Sequence, residues 1–230
     1  MKRGAVIGSV ALAALASLPA RAADMTPIAQ RAIPAGYIPA QFLWTGFYLG
    51  AGIGGGFGSA PFLDPFGTTA SPSLKGFLVG GVMGVNYQIN SFVLGVEGDF
   101  YGSWVKGTAL DPLGDALQTQ IFWTGTITGR LGWAFDRLLV YGKGGAAFDY
   151  DRGTVSQPSG VVVVGSTNRA GWTVGGGVEY AVTEHWTTRL EYDYLKFSAK
   201  GFVFTGPTIN AGGTVGINLG ELKLIVANKF

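Results

Sequence analysis

From Trp44 onward, apolar residues alternate with polar or small ones, the period of a β-strand with two unlike faces. Eight such runs succeed one another. Their apolar parity reads Phe47, Leu49, Ala51, Ile53 and Phe57; then Phe77, Val79, Met83, Val85 and Tyr87; then Phe92, Leu94, Val96, Phe100 and Trp104. The fourth and fifth runs give Ile121, Trp123, Ile127, Leu131 and Trp133, then Leu138, Val140, Ala146, Phe148 and Tyr150. The last three give Ala170, Trp172, Val174, Val178, Tyr180 and Val182; Trp186, Leu190, Tyr192 and Tyr194; and Leu222, Leu224, Val226 and Phe230.

The opposite parity is polar. It carries Asn86, Gln88, Gln120, Thr124, Thr126, Thr128 and Thr173. It also carries the acids Glu97, Asp99, Glu179, Glu191, Asp193 and Glu221, and the bases Arg130, Lys143, Arg169, Arg189, Lys223 and Lys229. A soluble sandwich buries its apolar face, whereas a membrane barrel turns it to lipid and keeps the polar face in the lumen. Periodicity alone fits both.

Connections and aromatics separate them. Short links at Asn90-Ser91, Phe135-Asp136-Arg137 and Thr183-Glu184-His185 alternate with long ones at about 58–75, 105–118, 151–168 and 198–213. Short turns at one end and long loops at the other predict an antiparallel up-and-down barrel with periplasmic turns and extracellular loops. Counting outward from the short-turn end, Phe47, Tyr87, Phe92, Trp133, Tyr180, Trp186 and Phe230 fall near the turns. Phe57, Phe77, Trp104, Trp123, Phe148, Trp172 and Tyr194 fall near the loops. Two rings of aromatics on the apolar parity are what the two membrane interfaces select. A helical span is disfavoured: the uncharged stretch 76–96 contains Asn86, Gln88 and Asn90 and five glycines.

Composition agrees. Charged residues are 13% of the 230-residue chain, about half the usual share of roughly 25%. Glycine, at 39 residues, is more than double its usual share of roughly 7%. The absence of cysteine removes zinc-finger, iron–sulfur, thiol and disulfide chemistry. At the N-terminus, Lys2 and Arg3, an apolar run from Ala5 to Leu18, and Ala20-Arg21-Ala22 form a secretory signal with the cut between Ala22 and Ala23. Removing Lys2, Arg3 and Arg21 from the 16 basic residues leaves 13 against 14 acidic, so no basic footprint for nucleic acid remains. Residues 23–43, with Pro27, Pro34 and Pro39, read as a periplasmic linker, leaving 44–230 for the barrel.

Trp44-Thr45-Gly46-Phe47-Tyr48, the segment Gly171-Trp172-Thr173-Val174-Gly175-Gly176-Gly177-Val178-Glu179-Tyr180, Arg189-Leu190-Glu191-Tyr192-Asp193-Tyr194 and the terminal Phe230 resemble a known family. It comprises the small outer-membrane barrel proteins of alphaproteobacteria, the surface-antigen, porin-like branch of the OmpA/OmpX-like eight-stranded superfamily. The resemblance spans about 44–230. It implies an outer-membrane location among lipid and lipopolysaccharide, and insertion by the barrel-assembly machinery, which reads a last strand ending in an aromatic residue. Phe230, Val226, Leu224 and Leu222 fit that signal; Asn228 departs from it. The resemblance also implies a chain ending without a peptidoglycan-binding domain, and loops that meet host or surface ligands. Haem binding occurs in the broader family. The long loops hold no histidine, which disfavours histidine ligation here, while Tyr150 could still serve as a ligand.

Chemistry-like patterns are few. Gly50-Ala51-Gly52-Ile53-Gly54-Gly55 has dinucleotide-loop spacing but lies inside a strand with no helix after it, so it reads as room for larger residues opposite. His185, the sole histidine, falls in a short turn and cannot alone build a zinc site or triad. Glu191 and Asp193 sit beside Arg189, which favours ion pairing over acid–base work. Asp64, Asp111, Asp115, Asp149 and Asp151 read as solvated loop charge. No catalytic, cofactor or metal residues are assigned. The expected protein is a non-enzymatic barrel supporting envelope integrity and surface interaction, its lumen filled by a nearly neutral network of the twelve charges on the polar parity. The alternative is a porin-like pore for small hydrophilic solutes. An outer-membrane enzyme acting on lipid A would need His185 at the opposite end.

Overall fold

A computed structural model describes residues 42–63, 69–110, 114–156, 162–205 and 210–230. The signal, its Ala22-Ala23 junction, Asp64 and Asp111 lie outside the described residues, as does the linker except Phe42 and Leu43. Eight long antiparallel strands form a closed ring: β1 Gly46–Ser59, β4 Ser73–Ile89, β5 Phe92–Leu110, β6 Ala116–Phe135, β7 Leu138–Ser156, β8 Val162–Ala181, β9 Trp186–Thr205 and β10 Asn210–Lys229. Two short strands, β2 Phe62–Leu63 and β3 Thr69–Ala70, extend the first outer connection. Each long strand pairs with its sequence neighbour. The ring closes where β1 meets β10, from Tyr48 opposite Lys229 to Ser59 opposite Asn218. Across the apolar band closure leaves no edge, so the strands are paired on both sides there; further out β8 and β9 part beyond Gly171 and Phe197.

Two of the tight turns are set by residues that tolerate left-handed backbone. Asn90 and Asp136 have φ of 53° and 55°, the conformation that two-residue hairpin turns require and short polar side chains accept. In the third, Thr183 Oγ1 accepts the backbone N–H groups of His185 and Trp186 at 3.3 and 3.0 Å.

The apolar parity faces outward. Ile53, Met83, Val96, Ile127 and Leu131 are all more than half exposed on the bare protein, which is tolerable only against an apolar solvent. Phe47 and Phe57 are ten residues apart on β1, roughly 33 Å of strand. At the usual tilt that gives an apolar band ~25 Å tall, as a membrane barrel needs. Neighbouring girdle rings touch: Phe92 with Trp133 and Phe77 with Trp104, each with centroids 4.5 Å apart.

Four readings from the sequence are corrected. The outer connections are mostly strand: β7 runs to Ser156 and β8 restarts at Val162, so the barrel wall continues beyond the outer girdle. Asp149 and Asp151 therefore belong to β7, and both point inward with no exposed surface. A bulge between Ile121 and Trp123 shifts the parity of β6, burying Ile121 completely and turning Gln120 to the outward side. The loop-end half of the interior is also apolar rather than polar. Leu74, Leu78, Val105, Ile121, Leu195, Phe197, Ile217 and Leu219 form one packed cluster there, each side chain contributing about 1.5–3 kcal/mol on burial.

The glycines of the first run sit where interior side chains pass. A Cβ on Gly52 would lie 2.7 Å from both Tyr101 Oη and Ile225 Cγ1, so this strand is a thin wall behind bulky neighbours. The topology predicts that a single cysteine at the exposed Ser71 is labelled by an impermeant thiol reagent on intact cells, whereas one at Glu184 is labelled only after the outer membrane is opened. Equal labelling of both would reverse or abolish this orientation.

Candidate functional site

The interior carries a continuous ion network at the level where the strands cross the apolar band. Alternation places Glu97 and Asp99 on β5 and Glu191 and Asp193 on β9, two residues apart on each strand and all facing inward. Lys143 reaches between them from β7. Its Nζ lies 2.8 Å from Glu191 Oε1, 3.0 Å from Asp193 Oδ2, 3.2 Å from Glu97 Oε1 and 3.4 Å from Asp99 Oδ2. Lys223 Nζ joins from β10 at 2.7 Å from Asp193 Oδ2 and 3.0 Å from Glu221 Oε2.

Two arginines form the layer nearer the short turns. Arg130 donates to Glu179 Oε2 at 2.7 Å and to Tyr48 Oη at 3.1 Å, with its guanidinium 4.0 Å above the Tyr141 ring. Arg189 Nη1 lies 2.7 Å from Glu97 Oε2. Hydroxyls add donors to the same carboxylates: Tyr48 to Glu97 at 2.7 Å, Tyr141 to Glu191 at 2.6 Å, Thr126 to Asp99 at 2.7 Å, Thr187 to Glu179 at 2.7 Å and Thr124 to Glu221 at 2.9 Å. Alternate glycines make this possible, since a Cβ on Gly84 would collide with the Tyr48 hydroxyl.

Ten of the twelve charges expected in one network meet there. The other two stand apart. Arg169 grips Asp151 with two bonds, 2.9 Å from Nε to Oδ1 and 3.0 Å from Nη2 to Oδ2, and donates to the Val215 carbonyl. Lys229 lies at the short-turn mouth, half-buried, with Nζ 5.2 Å from the Phe42 ring. The expected charge balance changes accordingly: Glu97, Asp99, Glu179, Glu191, Asp193 and Glu221 face only Arg130, Lys143, Arg189 and Lys223. Glu97, Asp99 and Glu191 present carboxylate oxygens close enough to hold a cation, and the Lys143 ammonium is bonded to all three.

Both ends of this layer are closed. Towards the loops lies the apolar cluster described above. Towards the turns lies a plug that periodicity did not reveal. Trp44 is 1% exposed and packs with Phe42, Val93, Ala134, Leu139, Tyr141 and Ala181. Trp44 Nε1 donates to the Asp136 carbonyl at 3.0 Å, and the Phe42 and Trp44 backbone N–H groups bond Asp136 Oδ1 at 3.0 Å and Gln88 Oε1 at 2.7 Å. The Phe42-x-Trp44 pair just before the first strand was the available signal.

The other noted residues are dispersed. His185 is exposed in its turn. Tyr150 lies on the outward face beside Phe122, with centroids 5.6 Å apart. Phe230 is exposed, its backbone N–H donating to the Phe47 carbonyl at 2.9 Å and its ring 6.0 Å from that of Phe47. Leu222, Leu224 and Val226 line the outward face of β10.

Residues 10–223 match the family model described as outer membrane protein beta-barrel domain. The chain belongs to this outer-membrane β-barrel family. It is 35% identical to the 31 kDa outer-membrane immunogenic protein of Brucella melitensis, over 85% of this chain and 89% of the relative. It is 32% identical to the 22 kDa outer membrane protein of Rhizobium leguminosarum, over 81% and 78% of the two chains. Among solved structures, OprG of Pseudomonas aeruginosa shares the fold, with TM-score 0.51 and 13% identity over 81% of this chain and 96% of that one. In this outer-membrane barrel the outward parity therefore faces lipid, and the ion network is enclosed at membrane depth.

Removing one partner of a buried ion pair leaves its counter-charge stranded, at a cost of about 3–5 kcal/mol. Arg189→Ala is expected to lower the urea unfolding free energy of the refolded barrel by that order. Adding Glu97→Gln to Arg189→Ala should recover part of the loss. Urea titration followed by tryptophan fluorescence measures both; additive losses would contradict the coupling.

Proposed function

We propose that this outer-membrane barrel is a closed, non-enzymatic envelope protein that stabilises the membrane and presents its loop end at the cell surface, with at most weak porin activity. The observation that carries this reading is the filled interior: an aromatic plug, an ion network and an apolar cluster follow one another along the lumen. A free solute path would need a hydrated channel, and an eight-stranded ring is only about wide enough for side chains to fill. The relatives named as immunogenic outer-membrane proteins support a surface-displayed loop end.

Insertion through the barrel-assembly machinery belongs to the same reading. The terminal strand presents Leu222, Leu224, Val226 and Phe230 on one face, a regular apolar signal. A charge near the membrane interface costs roughly 0–1 kcal/mol, so replacing Phe230 acts mainly on recognition. Phe230→Asp is expected to reduce heat-modifiable protein in the outer membrane while the purified variant still refolds. Unchanged levels in cells would remove this residue from the signal.

Single-channel recording of refolded protein in a planar bilayer tests the closed lumen. The expected record shows rare, small openings for wild type, and larger ones when Trp44→Ala is combined with Arg130→Ala. A large, steady wild-type conductance insensitive to both substitutions would support the porin alternative instead.

A further inference from the structure

Just beyond the loop-end girdle the outward parity gains a group of cations, with the apolar Leu110, Val162 and Val164 further out. Lys75, Lys106, Arg152, Lys196 and Lys200 are exposed there. Four of them stand two residues further out than an aromatic on the same strand: Lys75 beyond Phe77, Lys106 beyond Trp104, Arg152 beyond Tyr150 and Lys196 beyond Tyr194. Two residues of tilted strand is roughly 5 Å, the step from the aromatic belt into the headgroup layer. Among the described residues, the exposed carboxylates, Asp136 and Glu184, are at the other end of the barrel, and the half-buried Asp115 stands at the tip of the β5–β6 hairpin, nine residues beyond Lys106.

The register gathers three of these cations into a row. Lys75 lies directly opposite Lys106, Lys106 opposite Gln120, and Gln120 opposite Arg152. At the usual strand spacing the row spans about 15 Å. Like charges directly opposite on one sheet face repel and destabilise the pair, and no described acid forms an ion pair with either lysine. Arg152 is held in place, with its guanidinium 5.1 Å from the Phe122 ring. The bulge that turned Gln120 outward puts its carboxamide between Lys106 and Arg152, where an amide can donate to an anion. Directly inward of the row, the stacked Phe77 and Trp104 rings, 4.5 Å apart, offer an apolar shelf.

We propose that Lys75, Lys106, Gln120 and Arg152 form a binding site for the anionic headgroup of lipid A, the membrane anchor of lipopolysaccharide in the outer leaflet. Its phosphates would lie between the opposed lysines and turn their repulsion into attraction, while its acyl chains cover the aromatic shelf. The proposal rests on the outer-membrane location and is independent of whether the lumen conducts.

The test uses refolded full-length barrel in zwitterionic detergent, with folding checked by heat-modifiable mobility, and bisphosphorylated lipid A as the probe. Wild type should bind it and gain thermal resistance. Lys75→Gln, Lys106→Gln and Arg152→Gln combined should weaken binding about tenfold or more, whereas Lys196→Gln with Lys200→Gln, outside the row, should weaken it clearly less than the triple variant does. Dephosphorylated lipid A should bind wild type as weakly as the bisphosphorylated form binds the triple variant. The single variant Lys106→Gln gives a second reading through its sign. Without lipid it should unfold no earlier than wild type, because a repulsion is gone; with lipid A it should unfold earlier. Equal affinity of wild type and triple variant, equal binding of the dephosphorylated lipid, or equally tight binding of phosphatidylglycerol would each overturn the site.

Discussion

A ring of eight strands encloses a space only as wide as the side chains that fill it, and this width governs the fate of every charge inside. Water cannot solvate ten ionic side chains in such a space, so they solvate one another. Lys143 does this most completely, with four carboxylates around one ammonium. The acids outnumber the bases in this layer, and tyrosine and threonine hydroxyls supply donors that the cations do not. The glycines follow from the same constraint, because Tyr48 and Tyr141 reach the carboxylates only where the facing wall, at Gly84 and Gly177, has no Cβ. Apolar clusters at both ends then isolate the network, which strengthens each pair and raises the cost of breaking one.

Outside, the solvent is lipid and the logic reverses. Apolar residues cover the middle, aromatics mark both borders, and cations begin one step beyond the outer border. Closure between β1 and β10 lets this arrangement cross the apolar band without an unpaired edge. The inner and outer faces are thus two independent designs written on alternate residues of the same strands, linked only by register.

That alternation explains what was legible in the sequence. Strand number, turn positions, the outward aromatics and the inward acids all follow from a period of two, and ten network residues could be named from it. What escaped has specific causes. A bulge inserts one residue and reverses parity, so Ile121 and Gln120 were assigned to the wrong faces. The inward place of Asp149 between the outward Phe148 and Tyr150 was legible from the alternation, whereas Asp151 looked like a loop residue because β7 beyond Tyr150 loses its apolar outer face, the feature that marked strands elsewhere. Leu74, Leu195 and Ile217 line the lumen there, where the wall stands in water and the interior reverts to an ordinary apolar core. Trp44 was read as strand and Phe42 as linker; their folding under the barrel depends on Asp136 and Gln88, more than forty residues away, which no local pattern encodes.

The central claim is that the network is sealed from water on both sides. The chain has no native cysteine, so Thr128→Cys, at a position 1% exposed in the middle of the lumen, gives a single internal reporter. Its reaction with a small thiol reagent, added to either side of the barrel reconstituted in one orientation, tests the claim most directly. The closed-lumen account predicts no labelling from either side until urea unfolds the barrel. Rapid labelling of the folded protein from one side or both would show a hydrated lumen and contradict it.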